Sequence, residues 1–226
     1  MIIFTYMFLL LLMLTIIING IIYCFKYAPL KIRILSLFIL ALLACRYITL
    51  IIFYIHKSIN YLYSLRVLYF TNILCTPIIA LIVLYILFRS DKIKFKSIII
   101  ISSILLLLFS VLIIKGSINL ILSNNYLYTM IINSQSIVNV VYLIINILFV
   151  VASIFILRKS TINKIGVSLI LLSSVAVTLE IVLSFFQIAL FPEKIVGDML
   201  WVIALNYGLY ELKKWKERLK YIGICI

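Results

Sequence analysis

Apolar residues fill seven runs along this chain, roughly 2–25, 34–55, 67–88, 98–114, 137–157, 166–188 and 197–212, and polar residues gather in the short links between them. Each run approaches the ~20 residues that carry a helix across a bilayer. Inside hydrocarbon, a helix lets a single segment satisfy all of its own backbone groups. The pattern therefore predicts an all-α fold: a polytopic membrane bundle of seven transmembrane helices over residues 1–212, followed by a tail, 213–226.

The polar links are not alike. Fifteen of the lysines and arginines fall in the first, third and fifth links and in the tail, against four in the second, fourth and sixth, and none precedes the first run. Cationic loops stay on the cytoplasmic side, so the expected threading starts outside and ends in the cytoplasm. The basic links 89–96 and 158–164 must then be separated by an even number of crossings. The far end of the fourth run is open in this reading. Ile118 to Leu122 extends it past Lys115, or Tyr126 to Ile132 extends the fifth run outward.

Local signals refine the runs. Ala28-Pro29 marks a tight cytoplasmic turn, and Pro77 inside the third run predicts a mild kink, because proline withholds one backbone donor. In the tail, Leu212, Trp215, Leu219 and Ile222 recur at helical spacing opposite Lys213, Lys214, Lys216, Arg218 and Lys220. This is a basic amphipathic helix, suited to an anionic inner leaflet or to a membrane or cytoplasmic protein partner. The first run lacks a basic flank and a small-residue cleavage site, so it reads as a retained span.

Composition then narrows the function. With 67% hydrophobic residues and a mean hydropathy of +1.34, the chain offers no link long enough for a soluble catalytic domain. The net charge of +14 lies beside membrane edges, where it serves orientation and headgroup contact, so no nucleic-acid partner is expected. Richness in Ile, Leu, Lys, Asn and Tyr points to an AT-rich genome and a bacterial cytoplasmic membrane. The single histidine, His56, has no Cys/His companions and no acidic orienter, so no metal, cofactor or catalytic residue is assigned.

Two ionisable residues lie deep in the predicted spans, Arg46 in the second and Glu180 in the sixth. At ~1.5 Å per residue from the inner ends they sit about 18 Å and about 21 Å deep. A charge at mid-bilayer seeks a partner, and matched depth predicts an Arg46–Glu180 ion pair, structural or switch-like. Sevenfold spacing of Ser173, Glu180 and Gln187, with Ser184 one turn on, and of Asn139 and Asn146, draws two polar stripes. Together with Asn72 and Asn206 these residues form a candidate polar cavity. The competing reading is that they only hydrogen-bond between helices.

The stretch from Ala41 to Asp91 orders a span with a buried polar residue, a short aromatic outer loop, a basic re-entry at Arg66, a span broken by Pro77 and a basic turn at Arg89. In this layout it resembles the amino-terminal seven-helix sensory region of bacterial histidine kinases and diguanylate cyclases. The resemblance implies a sensory module, here without the output domain. The first reading is thus a non-enzymatic sensory or regulatory membrane protein. The alternatives are a small carrier or permease subunit with a polar intramembrane path, and a structural subunit of a membrane complex.

Overall fold

Isoleucine is abundant in the apolar runs, and in water so many β-branched side chains would favour strands. Here the runs coil. The computed structural model describes residues 2–55, 59–88, 95–123, 127–133, 135–158, 163–186 and 193–221. Its elements in chain order are α1 (Ile2–Tyr27), α2 (Leu30–Ile55), α3 (Ile59–Ser64), α4 (Arg66–Tyr69), α5 (Asn72–Phe88), α6 (Phe95–Lys115), β1 (Ile118–Ser123), β2 (Leu127–Ile132), α7 (Gln135–Leu157), α8 (Lys164–Phe185) and α9 (Ile195–Tyr221). Five of these, α1, α2, α6, α7 and α8, are long and apolar enough to cross a membrane.

Side-chain contacts give the helix directions. Tyr6 meets Glu193, Asn206 meets the Ile16 carbonyl, and Lys213 lies over the Tyr27 ring, so α1 and α9 run parallel. Thr76 meets Asp198 and Ile86 lies beside Gly208, so α5 is parallel to them. Lys194 meets Asn139 and Phe149 meets Trp201, which adds α7 to the same set. Helix α8 runs the other way, with Glu180 at Gly197 and Asn163 at Tyr207. Helix α2 folds back along α1, with Cys24 near Arg33 and Gly20 near Leu40.

The turn between α1 and α2 forms where Ala28-Pro29 predicts it. The Arg33 amide bonds to the Pro29 carbonyl at 2.8 Å, and the Arg33 Nε donates to the Ala28 carbonyl at 3.2 Å. Such a basic side chain satisfies an acceptor that a helix end leaves orphaned.

The centre of the bundle belongs to α5 and α9. Eleven of the seventeen residues of α5 are buried, and α9 buries Trp201, Val202, Ala204, Leu205 and Leu209. By contrast α6 buries only Ile98, Ser102 and Ile113, and turns Ile100, Leu107 and Ile114 outward. An apolar exterior of this kind is the surface that lipid covers.

The fold is all-α as expected, and the run following Lys115 adds one short two-stranded element to it. Gly116 ends α6, and Ile118 to Ile132 extends neither neighbouring helix. It forms an antiparallel hairpin in which Ile118 faces Ile132 and Leu120 faces Met130. Period two governs it: Ile118, Met130 and Ile132 are buried, while Asn119, Ile121 and Ile131 face outward. The Tyr63 hydroxyl ties the hairpin to α3 through the Ile118 carbonyl at 3.3 Å.

Tight packing of α8 on α9 depends on Gly197. A Cβ there would lie 2.4 Å from Val177 Cγ2, 2.7 Å from Glu180 Oε2 and 3.1 Å from the Val177 Cα, so backbone as well as side chain would have to move. Overpacking of this type costs about 1–3 kcal/mol. Gly197→Ala is accordingly expected to lower the melting temperature of the detergent-solubilised protein, whereas Gly208→Ala, whose nearest foreign atom is 3.5 Å away, leaves it nearly unchanged.

Candidate functional site

The third apolar run is interrupted, and the interruption creates the site. Helix α4 stops at Tyr69, and the amide of Ile73 bonds to the Phe70 carbonyl at 3.1 Å in place of the Tyr69 carbonyl. The Tyr69 carbonyl is thereby left without its helical donor. Arg46, 1% exposed, fills the gap: its Nε donates to the Tyr69 oxygen at 3.1 Å. Its Nη1 donates to Asp198 Oδ2 at 3.0 Å, a buried ion pair between α2 and α9.

Asp198 is as deeply buried as its partner and is fully engaged. Thr76 donates to its Oδ1 at 2.8 Å and Tyr47 approaches its Oδ2 at 3.5 Å. One carboxylate therefore collects donors from α2 and α5. It sits in the first turn of α9, where the helix dipole favours a negative charge.

The Arg46–Glu180 pair expected from matched depth does not form. Helix α9 supplies a separate partner to each residue. Glu180 accepts the amides of Val196 at 3.0 Å and of Gly197 at 2.9 Å, and so caps the exposed donors at the start of α9. Depth was shared, but the amide donors were nearer to Glu180 than any cation.

Two more charges complete the cluster just ahead of α9. Glu193 accepts from the Tyr6 hydroxyl at 3.1 Å. Lys194 donates to Asn139 Oδ1 at 2.9 Å and stands 4.6 Å above the centre of the Tyr142 ring. Among the described residues no carboxylate lies within 4.0 Å of its Nζ. Burial raises the Glu193 carboxyl, opposed by Arg46 and by the hydroxyls of Tyr69 and Tyr6. Burial also pushes the Lys194 ammonium down to about 8, against the pull of Asp198 and Glu180 and with the push of Arg46.

A cavity of about 60 Å³ opens among these groups. Arg46, Tyr69, Asn72, Gln135, Glu193 and Lys194 line it, and Met130 closes it from the hairpin. Ile73 also lines it, one turn ahead of Pro77, which has no N–H to offer the Ile73 carbonyl.

The residues of the expected polar cavity divide. Asn72 and Asn139 join the site. Asn146, Ser173 and Ser184 instead donate to carbonyls of their own helices, at Tyr142, Leu169 and Ile181. Asn206 binds the Ile16 carbonyl and fastens α9 to α1, away from the cavity. Gln187 lies outside the described residues, as do the tail side chains from Trp215 onward. Sequence reasoning missed Asp198, Glu193 and Lys194, because all three fall at the edge of a run and resemble a solvated link. The clue was their density: half of the six acidic residues of the chain, Glu180, Glu193 and Asp198, occupy nineteen positions. No family model matches this chain, and neither the curated proteins nor the solved structures contain a match.

Two measurements check the site. Removing one partner of a buried pair costs about 3–5 kcal/mol, so Asp198→Asn should strongly destabilise the protein to chemical unfolding in detergent. Adding Arg46→Gln should recover part of that loss, and a strictly additive double variant contradicts the pair. Reductive methylation with ¹³C-formaldehyde, read by NMR, should show one lysine titrating near pH 8 that disappears in Lys194→Arg. A Lys194 signal that titrates with the surface lysines contradicts its burial.

Proposed function

We propose that this chain is a non-enzymatic multi-pass protein of the bacterial cytoplasmic membrane, a sensory or regulatory module that binds a small polar ligand at its outer end. It crosses the bilayer seven times, from an outer amino terminus to a cytoplasmic tail. The observation that carries the reading is the course of α9. This one helix starts beside the cavity with Asp198 and runs without interruption to Tyr221, at the end where the basic links collect. At ~1.5 Å per residue it is about 40 Å long, enough to join the two sides of a membrane. A change in the grip on Asp198 is thus delivered mechanically to the tail.

Alternating helix directions and alternating basic links agree on this threading. A sensor further needs two states that a ligand distinguishes. The Arg46–Asp198 pair, with Lys194 held nearby by a neutral amide and a ring face, is a polar arrangement that ligand contact can tip. Below it the described core is apolar, with Ile79, Val83, Val202 and Leu205, and Asn146, Ser173 and Ser184 are turned onto their own backbones. Those residues therefore lend no support to a carrier's polar path.

Two labels test the reading. Spin labels at Lys31 and Lys213, in a cysteine-free background, report the position of α9 against the start of α2. Neutralising the pair with Asp198→Asn is expected to shift or broaden that distance distribution. An unchanged distribution rules out transmission along α9. In the same background, a cysteine at Asn119 should react with an impermeant maleimide on intact cells, and one at Lys213 only after permeabilisation; the reverse result overturns the threading.

A further inference from the structure

Lys194 brings an ammonium with three N–H donors to a place that offers few acceptors. Its Nζ donates to Asn139 Oδ1 at 2.9 Å and stands 4.6 Å above the centre of the Tyr142 ring. Among the described residues no second side chain accepts from it, and no carboxylate lies within 4.0 Å. Its other neighbour is the cavity, which it lines together with Arg46, Asn72, Gln135 and Glu193. Asp198 and Glu180 pull on its charge from farther away, and Arg46 pushes against it. An ammonium so placed is only partly satisfied, and burial holds it down to about 8.

We propose that Lys194 is a covalent modification site, whose amine condenses with a small aldehyde in the cavity to form a reversible iminium. The inference rests on reading this cavity as the ligand site. In the step, the neutral Nζ attacks the carbonyl carbon, and a C–N bond forms as the C=O π pair moves onto oxygen. That oxygen takes one proton from the nitrogen and one from solvent. It then leaves as water while the nitrogen lone pair closes the C=N bond. Counted from the protonated side chain, one ammonium and one aldehyde give one iminium and one water, and no oxidant or reductant is consumed.

The surroundings favour this product over the others an amine can form. An iminium keeps the positive charge, so the pull of Asp198 and Glu180 and the face of Tyr142 still act on it. An amide or a carbamate would forfeit both. An iminium also keeps one N–H, which is what Asn139 accepts. Desolvation and a neighbouring cation are means by which proteins make a lysine nucleophilic, and Lys194 has both. At pH 7 an amine that titrates at about 8 is neutral about a tenth of the time, against less than about one time in a thousand for an ordinary lysine at ~10.4. Volume then sets the size of the partner. At ~10–15 Å³ of such space per water, the ≈ 60 Å³ available corresponds to about four to six water-sized groups. An aldehyde of a few non-hydrogen atoms fits that count, and the amides of Asn72 and Gln135 can bond a hydroxyl that it carries.

The test uses the full chain in phosphatidylcholine nanodiscs at pH 7, with glycolaldehyde as the probe. Cyanoborohydride traps the iminium, and peptide mass spectrometry locates it. Lys194 is expected to be labelled at least about tenfold faster than any other lysine, and its rate to level off above pH 8 while the others keep rising. Benzaldehyde, too large for the space, should label Lys194 no faster than the surface lysines. The site is read in the unaltered chain, so no variant has to fold; Val138→Phe, which narrows the cavity from α7, should also abolish the preference for Lys194. Labelling spread over the lysines according to their exposure overturns the modification site. Benzaldehyde that labels Lys194 as fast as glycolaldehyde does overturns selection by the cavity. The spin-label distance between Lys31 and Lys213, measured with glycolaldehyde and no reductant, separates this inference from the sensory reading. A labelled Lys194 with an unmoved α9 leaves the modification site standing and removes transmission, whereas an unlabelled Lys194 removes the modification site alone.

Discussion

Arg46 is the residue on which the arrangement turns. Its guanidinium holds a backbone carbonyl stranded by the break between α4 and α5 and, through a second nitrogen, the carboxylate that opens α9. Both acceptors are buried, and each would be costly without a donor. One planar fork of donors satisfies both, which a lysine could not do with the same geometry. The break in the third run, the entry of α9 into the bundle and the position of α2 are therefore one solution to one problem. Thr76, donated by the helix that follows the break, completes the carboxylate's shell.

Around that anchor, charge is arranged by how expensive it is to move. Asp198 and Arg46 are fully buried and have their partners within 3.5 Å. Glu180 is satisfied by backbone amides, which cannot be displaced without unravelling α9. Lys194 is held by an amide and a ring face and Glu193 by the hydroxyls of Tyr6 and Tyr69, and both border the cavity. The cluster thus grades from fixed to free in the direction of the cavity.

Much of the architecture was legible in the chain. Five of the hydropathy runs coincide with helices long and apolar enough to cross a membrane, and Ala28-Pro29 anticipates the turn between the first two. Hydrophobicity dictates these features one segment at a time, which is why they can be read without neighbours. The site was less legible, because depth along a helix does not say which helix stands alongside. Arg46 was identified as a buried cation needing a partner, and that requirement holds; the partner was misassigned because Asp198, two residues into a run, looks like a flank. The hairpin escaped for a similar reason. Ile118 to Ile132 is apolar enough to prolong a helix, and its period-two alternation is interrupted by too few polar residues to announce a strand.

Helix α9 is the least membrane-like of the long helices by composition, and the structure explains why it can be. It carries Asp198, Asn206 and Glu211 along its length, and burial among α1, α5 and α8 gives the first two of them protein partners instead of lipid. A central helix of this kind bears polar groups at little cost, since its neighbours supply the donors and acceptors that lipid cannot. Its surroundings are specific contacts, each with a protein partner, whereas α6 on the rim turns an apolar face outward. The bundle puts its most polar helix at the centre, anchors it at one end through Arg46 and leaves a polar space beside that anchor.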